Sequence, residues 1–492
     1  MQYVVASVLT QEVQASPGRR RRLLILAICC LSLFIVGLDN TVVNIALPSI
    51  QRDLHAPASG LQWIIDAYTL VLASLLMLSG SVADRLGRKR VFQTGLLLFV
   101  LGSLLCSLAP NLELLVAFRA LQAVGGSMLN PVAMSIITNT FTEPRERAQA
   151  IGVWGGVVGL SMALGPLIGG FLVDVAGWPS IFLINIPVGL VACALTFRYV
   201  PESRAPRPRR LDPVGQVLIV LLLGSGTAVI IEGPGRGWTS PVILLLGALA
   251  LLALLLLPWW ERRIAEPLID LRFFRSVPFS GATVTAVCAF SALGGFLFLN
   301  ALYLQDVRHY SPVEAGLWTL PMAAMTLVSA PFSGRIVGRR GPRLPLLVAG
   351  TALAASGLLL TRLATDSPTA LLLLAYALFG LGFGMVNAPI TNSAVSGMPS
   401  AQAGVAAAVA STSRQVGQSL GVAVIGTVVT TAIVGPFTTG FAVASHVGWW
   451  IVTGLGLVIL LLGLVTTTPW AARTAAEVAT RLDPERSRRP VG

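Results

Sequence analysis

Charge is what this sequence has least of. Asp, Glu, Lys and Arg make up 11% of its 492 residues, against roughly 25% in an ordinary soluble chain, which excludes a water-solvated globule as the main body. Acids are the scarcer sign, 21 against 34 basic residues. Cysteine is sparse as well. Cys29, Cys30, Cys106, Cys193 and Cys288 all fall inside apolar runs without metal-ligand spacing, so they read as apolar filler. His55, His309 and His446 stand alone at or near loops. No constellation for a metal centre or acid–base catalysis is left, and no polar stretch is long enough for a separate catalytic domain. The chain reads as a non-enzyme without a cofactor.

Apolar surface is what the sequence has instead: 55% of residues are hydrophobic and mean hydropathy is +0.80. A helix crosses a bilayer with about 20 mostly apolar residues. Runs of that kind lie near 23 to 45, 61 to 82, 91 to 109, 112 to 137, 148 to 173 and 178 to 197. Two more follow near 214 to 231 and 241 to 260, then six near 278 to 304, 313 to 333, 344 to 363, 369 to 394, 404 to 433 and 446 to 468. The spacing therefore predicts an all-helical membrane protein of about fourteen spans. The first run follows Arg19 to Arg22 but is too long for a secretory signal and has no small-residue cleavage site, so it is expected to stay as the first span.

The basic residues alternate between sides. Arg19 to Arg22, Arg85 to Arg90, Arg145 and Arg147, the arginines of 198–210, 262–275 and 335–343, and those of the tail share one side; Arg52, Arg236, Arg308 and Arg362 lie opposite. The positive-inside rule then puts both termini in the cytoplasm, in a multi-pass inner-membrane protein. The net charge of +13 is explained by this placement, without a nucleic-acid partner.

An internal repeat runs at an offset of about 254 residues. Gly80 to Lys89 matches Gly334 to Arg343, Ala120 to Asn130 matches Ala377 to Asn387, and Ala148-Gln-Ala150 matches Ala401-Gln-Ala403. Duplicated halves are a common plan for transporters. The expected organisation is a cytoplasmic tail (1–22), a six-helix bundle (23–198), a linker carrying an extra two-helix hairpin (199–277), a second six-helix bundle (278–468) and a cytoplasmic tail (469–492).

The loop GSVADRLGRKR, residues 80–90, resembles the signature of the major facilitator superfamily. Gly80 and Gly87 permit close backbone approach, and Asp84 among Arg85, Arg88 and Lys89 can form a charge network that breaks as two halves rock. The second copy has Gly338 where the acid belongs. In span 5, Gly155, Gly159, Gly165, Pro166, Gly169 and Gly170 resemble that superfamily's antiporter motif, in which small residues let helices approach; the alternative is packing alone. Asp39-Asn-Thr-Val-Val-Asn44-Ile-Ala-Leu-Pro48, with Trp63-Ile-Ile-Asp66-Ala-Tyr68, is similar to the fourteen-span drug:proton antiporters.

A carboxylate at membrane depth is costly and is a functional candidate by default. Asp39 and Asp66 are the candidates here, the alternative being an aqueous span end. Arg119 in span 4, with Gln122 on the same face, resembles the superfamily's Arg/Gln motif. An arginine cannot shed its proton in a membrane, so it needs a carboxylate, and the resemblance, which places these helices together around the cavity, implies Asp39 as the partner. Asn44, Trp63, Gln122, Asn387, Arg414 and Gln415 are candidate cavity-lining residues, or simply hydrogen-bond between helices.

The resemblance implies a monomeric exporter of hydrophobic small molecules. Two pseudo-symmetric bundles would rock around a central cavity, with protons as the coupling ion and Asp39, Asp66 and Arg119 as the coupling residues. A lipid or glycolipid exporter of the same fold is the alternative, and a non-transporting sensor or scaffold is the alternative of another class.

Overall fold

A computed structural model describes residues 18–205, 211–264, 266–396, 398 and 400–482; inside its helices the surroundings of 144, 148, 155, 158, 159, 162, 163, 400, 401 and 403 are not described. Gly155 and Gly159 thus lie outside the described side-chain positions. The chain is helical throughout the described residues. In order run α1 (Arg19–Leu54), α2 (Ala58–Leu86), α3 (Arg88–Ser107), α4 (Leu112–Thr140), α5 (Pro144–Ala176), α6 (Ser180–Tyr199), α7 (Pro213–Arg236) and α8 (Pro241–Glu261). Then come α9 (Val277–Val307), α10 (Pro312–Arg340), α11 (Arg343–Leu360), α12 (Thr369–Val395), α13 (Ser400–Leu420, continued through Thr431), α14 (Phe437–Val465) and α15 (Pro469–Leu482). Among the described residues, 12 helices are long and apolar enough to cross a membrane. The helices α5 and α13 stand outside that set, and α13 is rich in Ser, Thr and Gln and carries Arg414.

Local chemistry sets the boundaries. Polar caps followed by proline start α5 (Glu143, Pro144), α7 (Asp212, Pro213), α8 (Ser240, Pro241) and α10 (Ser311, Pro312), each cap side chain accepting from backbone N–H groups of the first turn. Glycines end α2, α5, α7 and α10, with Gly87 at φ 117°. Two elements are absent from the sequence reading, a short 3-10 turn at Leu271–Arg275 and α15. The buried Ala471, Val478 and Ala479 of α15 recur at helical spacing on one face, so the segment expected as tail begins with an amphipathic helix.

Helix pairings repeat between the halves. The pairs α1–α5, α2–α4, α3–α4 and α3–α6 recur as α9–α13, α10–α12, α11–α12 and α11–α14. The repeat reaches single residues: Gly125 packs on the backbone of Gly95 and Phe99, and Gly382 packs on Ala349 and Leu353. The halves meet along α5–α10, α2–α13 and α1–α9, while α7 packs on α8, α2 and α13.

Contacts between the halves gather at the arginine-poor end. Gln305 Nε2 donates to the Ile45 carbonyl at 2.7 Å, and Val313 N–H donates to Asp174 Oδ2 at 3.1 Å. Gly170 rests on the backbone of Pro312, and Gly316 on the backbone of Pro166.

Candidate functional site

The helix α4 starts where Asn111 caps the Leu114 N–H, and one turn separates Arg119 from Gln122, so both side chains leave the same face. Both are buried, as is Asp39 midway along α1. Arg119 donates to Asp39 Oδ2 at 2.5 Å, to Gln122 Oε1 at 2.6 Å and to the Ile64 carbonyl of α2 at 3.1 Å. Gln122 Nε2 donates to Asp39 Oδ1 at 2.9 Å and to Ser103 Oγ of α3 at 2.8 Å. Asn185 of α6 donates to Asp39 Oδ1 at 3.0 Å. Above the guanidinium, the Tyr68 ring centroid lies at 4.1 Å and that of Phe182 at 5.7 Å.

A close helix contact makes this possible. The absent side chain of Gly102 lets α3 lie directly on the Gln122 backbone, where a methyl group would stand 2.7 Å from Gln122 N, and this brings Ser103 within reach. Five helices therefore meet in one network, α4 and α6 at the Asp39 carboxylate and α2 and α3 through the Ile64 carbonyl and Ser103. A buried ion pair of this kind holds only if its remaining lone pairs and protons are satisfied, and here Gln122, Asn185 and the Ile64 carbonyl do so. The expected Asp39–Arg119–Gln122 arrangement is what the structure shows. Asn185, Ser103 and Tyr68 were missed, since an isolated Asn or Ser in an apolar span gives no signal of what it faces.

This support is measurable. Replacing Asn185 by Ala leaves Asp39 one charge-assisted hydrogen bond short, and we expect a loss of about 1–2 kcal/mol of stability. Thermal unfolding of the purified variant checks it, and an unchanged midpoint would remove Asn185 from the network.

Asp66 lies elsewhere. It is buried on α2, where Thr69 Oγ1 donates to its Oδ1 at 3.3 Å, and Ser419 of α13 faces it across the boundary between halves. Neither Asp66 Oδ2 nor Ser419 Oγ completes a hydrogen bond. Asp66 forms no ion pair with Arg119, so the two expected coupling acids occupy separate places, one inside the first half and one at its seam with the second. Close by, Gln62 bonds Thr427 at 3.3 Å.

The loop at 80–90, expected to gate, is tied within the first half. Asp84 accepts from Arg88 at 2.8 Å, as the spacing suggested. Lys89 Nζ donates instead to the Phe197 carbonyl at 2.7 Å, while its backbone N–H reaches Glu202 at 3.0 Å, a partner the sequence did not reveal. Arg85 lines a small surface cavity with Arg90 and Arg204. Gly87 is required by its backbone angle and by the Glu202 carboxylate beside it. Gly80 is not a close-approach glycine: an added methyl would meet only Pro131 Cβ, at 3.7 Å, an ordinary contact.

In the α5 motif, Gly165 and Gly169 seat the helix on Thr41 and Val42 of α1, and Gly170 and Pro166 face α10 of the other half. The Trp63 indole donates to Glu232 of α7 at 2.8 Å. Asn44 and Asn387 turn back on their own helices, to the carbonyls of Asn40 and Phe383. Arg414 donates to Thr391 at 2.6 Å, and Gln415 Oε1 is buried without a partner.

A duplicated helical bundle with a buried intramembrane ion pair defines a multi-pass membrane transporter, and the chain belongs to the Major Facilitator Superfamily, whose family profile matches residues 29–422. Its relatives are resistance and efflux proteins. It is 38% identical over 409 residues to the multidrug resistance protein Stp of Mycobacterium tuberculosis, covering 83% of this chain and 76% of that one. It is 40% identical over 415 residues to the tetracenomycin C resistance and export protein of Streptomyces glaucescens (83% and 76%), and 40% over 408 residues to the puromycin resistance protein of Streptomyces alboniger (81% and 80%). In fold, a POT family transporter in complex with 5-aminolevulinic acid matches with a TM-score of 0.67 at 14% identity, over 90% of this chain and 96% of that one. An inward-facing bacterial homologue of the human lysosomal transporter Spinster matches at 0.64 and 17%, over 94% and 99%.

Proposed function

We propose that this protein exports hydrophobic small molecules, drugs or antibiotics among them, across the cytoplasmic membrane in exchange for protons. The observation that carries the reading is the Asp39–Arg119 pair, a carboxylate fully buried in the first half and held by Arg119 and Gln122 of α4 and Asn185 of α6. Protonating Asp39 cancels its charge and releases its hold on Arg119, so the packing of α1 against α4 and α6 depends on proton occupancy. The motif glycines Gly165 and Gly169 of α5 rest on Thr41 and Val42 of α1, within one turn of Asp39, which links that packing to α5 and through Gly170 to the other half.

In this reading the chain has fourteen spans, α1–α6 and α9–α14 forming the two bundles and α7–α8 an inserted hairpin, with both termini cytoplasmic. The protein works as a monomer with the proton as its coupling ion and needs no other cofactor. Closure at the arginine-poor end supports a state open toward the cytoplasm, ready to load substrate. Asp66, opposite Ser419 at the seam, is positioned to sense whether the halves are together. Small-molecule cargo is favoured over lipid because α7 lies over the seam of α2 and α13, where Gln216 donates to the Ser74 carbonyl at 2.7 Å and Trp63 to Glu232.

Inverted membrane vesicles test the reading. Vesicles carrying the protein should accumulate a drug such as tetracenomycin C or puromycin when their lumen is acidified, and a protonophore should abolish the accumulation. Accumulation that survives the protonophore would rule out proton coupling; accumulation of labelled phospholipid in place of every drug tried would favour the lipid exporter.

A further inference from the structure

The two halves repeat one another's packing, yet they differ in charge at one corner. In the first half the loop at 80–90 meets the chain that follows α6. Asp84 pairs with Arg88 at 2.8 Å, and Glu202 accepts from the Lys89 N–H at 3.0 Å and lies 3.7 Å from Arg90 Nε. Two carboxylates there pair with Arg88 and Arg90. In the second half, the equivalent loop Gly338–Arg343 meets the chain that follows α14. Gly338 stands where the first copy has Asp84, and Thr466, Thr467 and Thr468 with α15 stand where the first copy has Glu202.

Among the described residues, no carboxylate lines this second corner. A cavity of about 730 Å³ opens there, walled by Arg340 and Arg343, by Asn392 and Ser393 at the end of α12, and by Thr467 and Thr480. Neither arginine forms an ion pair among the described residues. Glu477 and Arg473 of α15 do not line it. The smaller cavity beside Arg85 differs, since Arg90 there is already paired with Glu202.

We propose that this corner binds the phosphate of an anionic phospholipid from the leaflet at the arginine-rich end. Guanidinium groups offer paired donors to phosphate, and the hydroxyl and amide groups supply further hydrogen bonds. The surroundings are those of a membrane interface. The helix α15 buries Ala471, Val478 and Ala479 against the protein and leaves Trp470 exposed, and the Thr474 hydroxyl accepts from the Val277 N–H at 3.0 Å to pin it. Leu344, next to Arg343 in the chain, and Phe332, two turns before Arg340 on α10, are exposed, and this apolar surface would be the path of an acyl chain. A soluble phosphate compound shares the anion chemistry but makes no use of that path. Naming the leaflet cytoplasmic rests on the orientation proposed above; the anion site itself does not.

The test is lipid retention. Purified, delipidated full-length protein is mixed with phosphatidylglycerol or phosphatidylcholine, and retained lipid is read by native mass spectrometry, with inorganic phosphate as competitor. Wild type should retain phosphatidylglycerol in preference to phosphatidylcholine. Arg340→Gln with Arg343→Gln should weaken retention about thirtyfold for two lost interfacial cations, whereas Arg340→Lys with Arg343→Lys should keep most of it. Gly338→Asp, which installs the acid of the first copy, should lower retention without removing either arginine, and so guards against a misfolded double variant. Equal retention of the two lipids, or retention unchanged in the Gln and Asp variants, overturns the proposal. Displacement of bound phosphatidylglycerol by inorganic phosphate alone would assign the corner to a soluble anion and overturn the lipid.

Discussion

Asp39→Asn should reduce drug-driven proton movement to the level of protein-free liposomes while the protein still reaches the membrane. The wild-type carboxylate accepts at both oxygens, from Arg119 at one and from Gln122 and Asn185 at the other. Asparagine offers one oxygen and one NH₂. With its oxygen toward Arg119, the NH₂ confronts two other NH₂ groups; turned the other way, it confronts the guanidinium. Either orientation also leaves the Arg119 charge buried without its partner, which costs on the order of 3–5 kcal/mol. Lost transport alone therefore does not separate coupling from stability. The double variant Asp39→Asn with Arg119→Gln does separate them, because removing both charges of a buried pair is often close to neutral. We expect it to recover much of the lost thermal stability and none of the proton movement. Recovery of both would make the pair a structural element and remove it from the mechanism.

The second large effect is expected where the halves touch. Gly170 and Gly316 each lie on the backbone of the opposite half, at Pro312 and Pro166, and a methyl at Gly316 would stand 2.5 Å from the Pro166 carbonyl oxygen. That is far inside the ~3.5 Å of an optimal contact, and backbone cannot step aside as a flexible side chain does. Gly170→Leu or Gly316→Leu should hold the arginine-poor end apart and stop transport at normal expression. A cysteine placed at Gln62, which is buried in the closed interface beside Thr427, reports the state in an otherwise cysteine-free protein. An impermeant thiol reagent added outside should label it in the Leu variants and spare it when both glycines are present. Transport at the wild-type rate in either Leu variant would contradict a requirement for closure at this face.

Features with a local cause were legible in the sequence. Apolar run length located the helices, because a span must satisfy its backbone within itself; that a buried Arg119 needs an acid followed from its chemistry, and that the acid is Asp39 followed from the resemblance. The side chains that complete the pair were not legible. Asn185 and Ser103 belong to other helices, and only the approach of α3 to α4 at Gly102 brings Ser103 to Gln122. Glu202 likewise follows an apolar span and looks like any loop acid until it reaches Lys89 and Arg90. The reverse error has the same origin. Gly80 carries a motif position, yet it faces an ordinary contact with Pro131, because a motif names residue types and the tertiary contacts decide what each one does. The amphipathic α15 was hidden by its own polarity, its apolar face being built largely from alanine.

The most direct measurement of proton-coupled export is drug-dependent proton release from liposomes that hold the purified protein and a pH-sensitive dye under an imposed proton gradient. With a panel of cationic and neutral hydrophobic drugs, wild type should move protons on addition of at least one drug, and Asp39→Asn should move none. Proton movement that is identical in the two proteins would contradict Asp39 as the coupling site.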